Sequence, residues 1–69
     1  MRLSARNVLK GKVVQVKPGS VNSEIVLELP GGSQIVSIIT KESAENLGLA
    51  VGKQAYAIIK ASNVMIGVD

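Results

Sequence analysis

Two short breaks, Pro18-Gly19-Ser20 and Pro30-Gly31-Gly32-Ser33, constrain this chain most, because each sets a tight turn between residues that otherwise read as strand. Residues 21–29 between them carry the cleanest strand pattern. Val21, Ile25, Leu27 and Leu29 point inward around a small Ser23, with Asn22, Glu24 and Glu28 outward. Residues 8–17 upstream are also β-prone, but their alternation changes phase. Leu9, Gly11 and Val13 share one face, and Val14 and Val16 then carry the apolar character on the other parity, which predicts a bulge or bend near residues 11–14. Downstream, residues 34–39 are apolar on both faces through Val36, Ile38 and Ile39, the pattern of a central strand or of one packed against a partner subunit.

Thr40 then offers an N-cap, Glu42 suits the first turn of a helix, and Gly48 follows Leu47 where helices end. The spacing predicts a two-turn helix over residues 41–47, with Ala44 and Leu47 plugging the core. A fourth strand is expected over residues 54–60. Residues 63–68 read as a fifth, with Val64, Ile66 and Val68 alternating against Met65 and Gly67. Three strands, a short helix and two strands make the element order of an all-β, five-stranded OB-like barrel, with the helix between strands three and four. An SH3-like barrel or an open meander is the alternative. In the OB-like arrangement a bent first strand serves both halves of the sheet, and its start lies near the end of strand four.

At 69 residues the chain is expected to be one domain with a marginal core, since a chain of this size buries only about 60% of its unfolded surface. It has no cysteine for a disulfide and no Cys/His cluster for zinc, so oligomerisation is the remaining support. The 46% content of hydrophobic residues points the same way. The net charge of +3 is spread along the chain without a basic run, favouring anionic partners in general. No segment reads as a transmembrane helix, and Arg6 and Asn7 stand where a signal peptide would be apolar, so a cytoplasmic protein is expected.

The chemistry is concentrated in residues 1–7 and 60–62. Ser4, Arg6, Lys60 and Ser62 offer a guanidinium fork, an ammonium and two hydroxyls, with no histidine, cysteine or carboxylate among them. A tetrahedral dianion presents only acceptors, so such a donor set suits it. Taken singly, Arg6 and Lys60 read as ordinary surface charges. Only the meeting of the two segments makes a pocket. The turn after Pro18 reads by composition as a hairpin connection, and Gly31-Gly32 lacks the Lys-Ser/Thr and helix of a phosphate loop. The glutamates read as solvated charges.

Ser4-Ala5-Arg6-Asn7 with Leu9-Lys10-Gly11, residues 19–25, residues 38–43 and residues 58–65 together resemble the molbindin (Mop) family over nearly the whole chain. The resemblance implies a single OB-like domain over residues 1–69 that binds molybdate or tungstate and serves in storage or homeostasis of the oxyanion. It also implies a cytoplasmic hexamer, a trimer of dimers, with the ligands at subunit interfaces. One class of site would fall on Ser4, Arg6, Lys60, Ala61 and Ser62. A second, near a threefold axis, would fall on Gly19, Ser20, Val21 and Asn22 of the turn and on Ser43 at the start of the helix. No bare metal cation is implied.

Single-stranded nucleic-acid binding is the other function an OB-like barrel invites. It needs aromatic platforms, and Tyr56 is the single aromatic residue here. Catalysis is disfavoured further, since general acid–base and nucleophilic candidates are nearly absent. No membrane partner is expected.

Overall fold

In the computed structural model the chain forms a curled antiparallel sheet with one short helix against it. The elements are β1 (Asn7–Pro18), β2 (Asn22–Glu28), β3 (Gln34–Thr40), α1 (Lys41–Asn46) and β4 (Gln54–Ile59), followed by a 3-10 turn (Ala61–Asn63). All residues 1–69 are described. The sheet order is β3-β2-β1-β4, so β3 and β4 are its two edges.

β1 is the hinge of the sheet, as its change of phase predicts. Its first half pairs with β4, from Asn7 opposite Ile59 to Lys12 opposite Gln54. Its second half pairs with β2, from Lys12 opposite Glu28 to Pro18 opposite Ser23. The register shifts between Val13 and Gln15, leaving Val14 as the extra residue of a bulge. Inward-facing residues therefore switch from odd to even numbers, and Val13 and Val16 both reach the core. Gly11 permits the crossing, because a Cβ there would lie 2.9 Å from the Glu28 carbonyl oxygen and 3.2 Å from a Leu29 methyl. No larger residue fits without moving the end of β2.

The two Pro-Gly breaks form the expected turns. Gly19 N–H donates to the Asn22 carbonyl at 2.7 Å, and Leu29 N–H to the Ser33 carbonyl at 2.7 Å. Gly31 and Gly32 both hold positive φ between them, a conformation other residues adopt at a cost. Thr40 caps α1, its Oγ1 accepting from Ser43 N–H at 3.0 Å and donating to Ser43 Oγ at 2.7 Å.

The core is small. Val13, Ile25, Leu27 and Ala44 are buried together, with Val16, Ile39, Leu49, Ala55 and Ala57 packed around them. Ser23 is buried beside Ile25, as the alternation of residues 21–29 requires, although Val21 lies outside the strand and is exposed.

Two expectations are corrected and a third is narrowed. The sheet has four strands, not five: residues 64–68 follow the 3-10 turn without any strand pairing, while β3 and β4 each keep a free edge. Of the two alternatives for residues 34–39 the central strand is ruled out: β3 is an edge, and its outer residues Val36 and Ile38 stand about 60% exposed (59% and 60%). Leu47 does not plug the core. The helix ends at Asn46, Leu47 is its C-cap, and its side chain is 66% exposed, leaving Ala44 as the one buried helical residue.

Between the edges β3 and β4 the curled sheet stays open. The gap is an apolar groove of about 700 Å³ lined by Ile35 and Ile39 from one edge, Ala55, Ala57 and Ile59 from the other, and Leu27 at its floor.

Candidate functional site

The β1–β4 ladder brings the two chemistry-bearing segments together. Its last pair is Asn7 opposite Ile59, so Arg6 and Lys60 are the next residue on either chain segment, just past the end of the ladder. Both are exposed, beyond the exposed pair Val8 and Ile58 and the next exposed pair Lys10 and Tyr56 on the outer face of the sheet. Like charges held near each other repel. Residues 1–9 and 57–66 contain no Asp or Glu to relieve that repulsion. The ladder thus ends on a cationic pair that an anion would bridge.

Beyond this point both segments leave the ladder. Ser4 and Arg6 lie at bends before β1. The chain after Lys60 closes into the 3-10 turn Ala61–Asn63, held by Asn63 N–H to the Lys60 carbonyl at 2.9 Å and Val64 N–H to the Ala61 carbonyl at 3.3 Å. Ser62 sits in that turn, on the other side of the ladder end from Ser4. Ser4, Arg6, Lys60, Ala61 and Ser62 are all exposed in the single chain. They enclose no cavity in the single chain, and the half-exposed Val8 and Ile58 lie beside them at the end of the ladder.

The residues expected for a second site also cluster, at the other end of β1. The Val21 carbonyl accepts from Lys41 N–H at 2.8 Å, which ties the turn after Pro18 to the start of α1. Asn22 pairs with Thr40, and Ser43 is bonded to Thr40 through both its backbone and its hydroxyl. Gly19, Ser20, Val21, Asn22 and Ser43 are all exposed. The Ser43 hydroxyl is already engaged by the helix cap. No cationic side chain lies in the turn at residues 19–22; Lys17 precedes it, Lys41 is tied to it through Val21, and the acidic Glu24 follows it. This cluster is accordingly the weaker electrostatic draw of the two.

Sequence reasoning missed the groove between β3 and β4. Its signal was present in the half-buried face of Ile35, Ser37 and Ile39, which was read as a wholly apolar strand. No group of three or more His, Cys, Asp or Glu residues is placed to hold a metal cation, and no helix is long and apolar enough to cross a membrane. Tyr56 stands alone on the outer face with no second ring to extend a stacking surface.

Comparison with known proteins places this arrangement. Residues 3–66 match the TOBE domain family. The chain is 53% identical over 66 residues to molybdenum-pterin-binding protein 3 of Clostridium pasteurianum, covering 96% of this chain and 97% of that protein. It is 49% identical over 69 residues to a probable molybdenum-pterin-binding protein of Haemophilus influenzae, covering 100% of both. Among solved structures it is similar to the cytoplasmic molybdate-binding protein ModG with molybdate bound, at a TM-score of 0.95 and 52% identity, over 100% of this chain and 49% of that one.

Proposed function

The chain belongs to the TOBE-domain family, among its Mop- and ModE-type molybdenum-pterin-binding members, and on that premise we propose that it binds molybdate or tungstate at interfaces between copies of itself. The observation that carries this is that Arg6 and Lys60 follow directly on the last pair of the β1–β4 ladder, two like charges with no acidic residue in either segment. Arg6 would grip two oxyanion oxygens with its fork and Lys60 would add a point charge. Ser4, Ser62 and the Ala61 backbone would fill the remaining acceptor positions. Charge-assisted hydrogen bonds contribute roughly 1.5–3 kcal/mol each against the cost of dehydrating a dianion. Micromolar affinity, about −8 kcal/mol, then requires that the donors be held in place beforehand. A partner surface over these exposed residues would do that.

The same partner completes the barrel. Residues 64–68 alternate as a strand, lie exposed and unpaired, and are apolar at Val64, Met65, Ile66 and Val68. The groove between β3 and β4 offers two unpaired strand edges and an apolar floor. In our reading this segment from a second copy enters the groove as the fifth strand of an OB-like barrel. The assembled form would be a hexamer built as a trimer of dimers. The turn at residues 19–22 with Ser43 would supply a second, backbone-rich class of site. We assign the chain, as one domain over residues 1–69, to cytoplasmic storage and homeostasis of the oxyanion, without catalysis of its own.

Calorimetric titration of the purified protein with molybdate, tungstate, sulfate and phosphate tests the proposal. Micromolar or tighter binding of molybdate or tungstate is expected, with sulfate weaker because it is smaller at equal charge and shape. Equal, millimolar binding of all four would overturn it.

A further inference from the structure

The segment that would hold the oxyanion is also the hinge of the segment that would join the subunits. Lys60, Ala61, Ser62 and Asn63 form the covalent link between β4 and residues 64–68, and the 3-10 turn there is held by two backbone hydrogen bonds with no side-chain cap. No backbone hydrogen bond of the chain holds residues 65–68 beyond it. On the β1 side of the link, Arg6 and Lys60 follow directly on the last ladder pair, two like charges that repel each other when nothing lies between them. The residues that follow, Met65, Ile66 and Val68, are 93%, 87% and 95% exposed, so their seating is decided by contacts outside the chain's own sheet.

Resting on the oxyanion site above, we propose that the oxyanion is an effector of assembly as well as cargo: occupancy at Arg6, Lys60 and Ser62 fixes the hinge and locks residues 64–68 into the partner's groove. An anion between Arg6 and Lys60 turns their repulsion into a shared attraction and closes the ladder end. Donors contributed by the 3-10 turn then hold the hinge in one direction. Because, on that reading, the pocket is complete only when a second copy covers it, the ion binds the assembled form in preference to the separated chain. Mass action multiplies the association constant by one plus the ratio of free ligand to Kd, about a hundredfold per site at a hundred times Kd. By reciprocity, affinity for the ion rises with protein concentration by the same coupling.

The test uses the full chain in two isotopic forms, mixed and followed by native mass spectrometry with and without sodium molybdate, against sodium chloride at equal ionic strength. Calorimetry records binding under the same conditions. Hydrogen exchange at the amides of residues 64–68 is read in parallel. Saturating molybdate is expected to slow subunit exchange at least tenfold, to lower the dissociation midpoint about a hundredfold and to protect those amides. Lys60→Ala should abolish the molybdate dependence of all three, and Arg6→Lys should reduce it. Bound molybdate with unchanged subunit exchange, midpoint and protection would overturn the coupling and leave the oxyanion site standing. Absence of molybdate binding would overturn both.

Discussion

Arg6 and Lys60 share a charge, but their chemistry differs in a way that substitution can resolve. Arg6→Lys keeps the cation and loses the planar fork, while Arg6→Ala also removes a charge from the proposed oxyanion pocket. Affinity for molybdate should therefore fall in the order wild type, Arg6→Lys, Arg6→Ala, with the last costing on the order of 2–5 kcal/mol. Ser4→Ala removes one neutral donor and should cost about 1 kcal/mol. Calorimetry with the oligomeric state checked on each variant measures these, and an Arg6→Ala protein that binds normally returns Arg6 to the status of a surface charge. Residue identity made this locus legible in the sequence, since a donor-only set with no carboxylate is visible without coordinates. The nearness of the two segments was legible too, since the element order sets the start of β1 near the end of β4, whereas the register of Asn7 against Ile59 is encoded by no local pattern.

The most diagnostic element is β1, where a phase change in the alternation, a glycine and a bulge all describe one bend. Gly11→Ala would set a methyl against the Glu28 carbonyl and should destabilise the fold by about 1–3 kcal/mol, read as a lower midpoint in urea. Thr40→Ala removes the α1 cap and should cost about 1 kcal/mol in the same measurement. Caps, turns and the bulge were legible because each is specified by a few neighbouring residues. Leu47 was misplaced because the helix closes one residue sooner than its apolar spacing implies, with Gly48 taking positive φ immediately after the cap. Residues 63–68 were read as a strand from a period of two. That period states only that the segment is suited to a ladder, and it does not say which edge, if any, the segment pairs with.

At the scale of the molecule, the chain buries six of its 69 residues and leaves Val36, Ile38, Ile58, Ile66 and Val68 among its exposed apolar side chains, too little core and too much surface for a stable solitary domain. Light scattering at micromolar concentration should therefore give the mass of a hexamer, and a monodisperse monomer would count against the assembly proposed here. The open seam between β3 and β4 has a further consequence, in time instead of in structure. On the proposed exchange of residues 64–68 between copies, the chain would not finish folding alone, and its final step would be a collision. Refolding from denaturant should show an early phase independent of concentration, as β1 to β4 form, and a late one whose rate rises in proportion to protein concentration. At high dilution the late phase becomes the slowest event in the life of the protein, and a half-finished sheet with two bare edges waits through it.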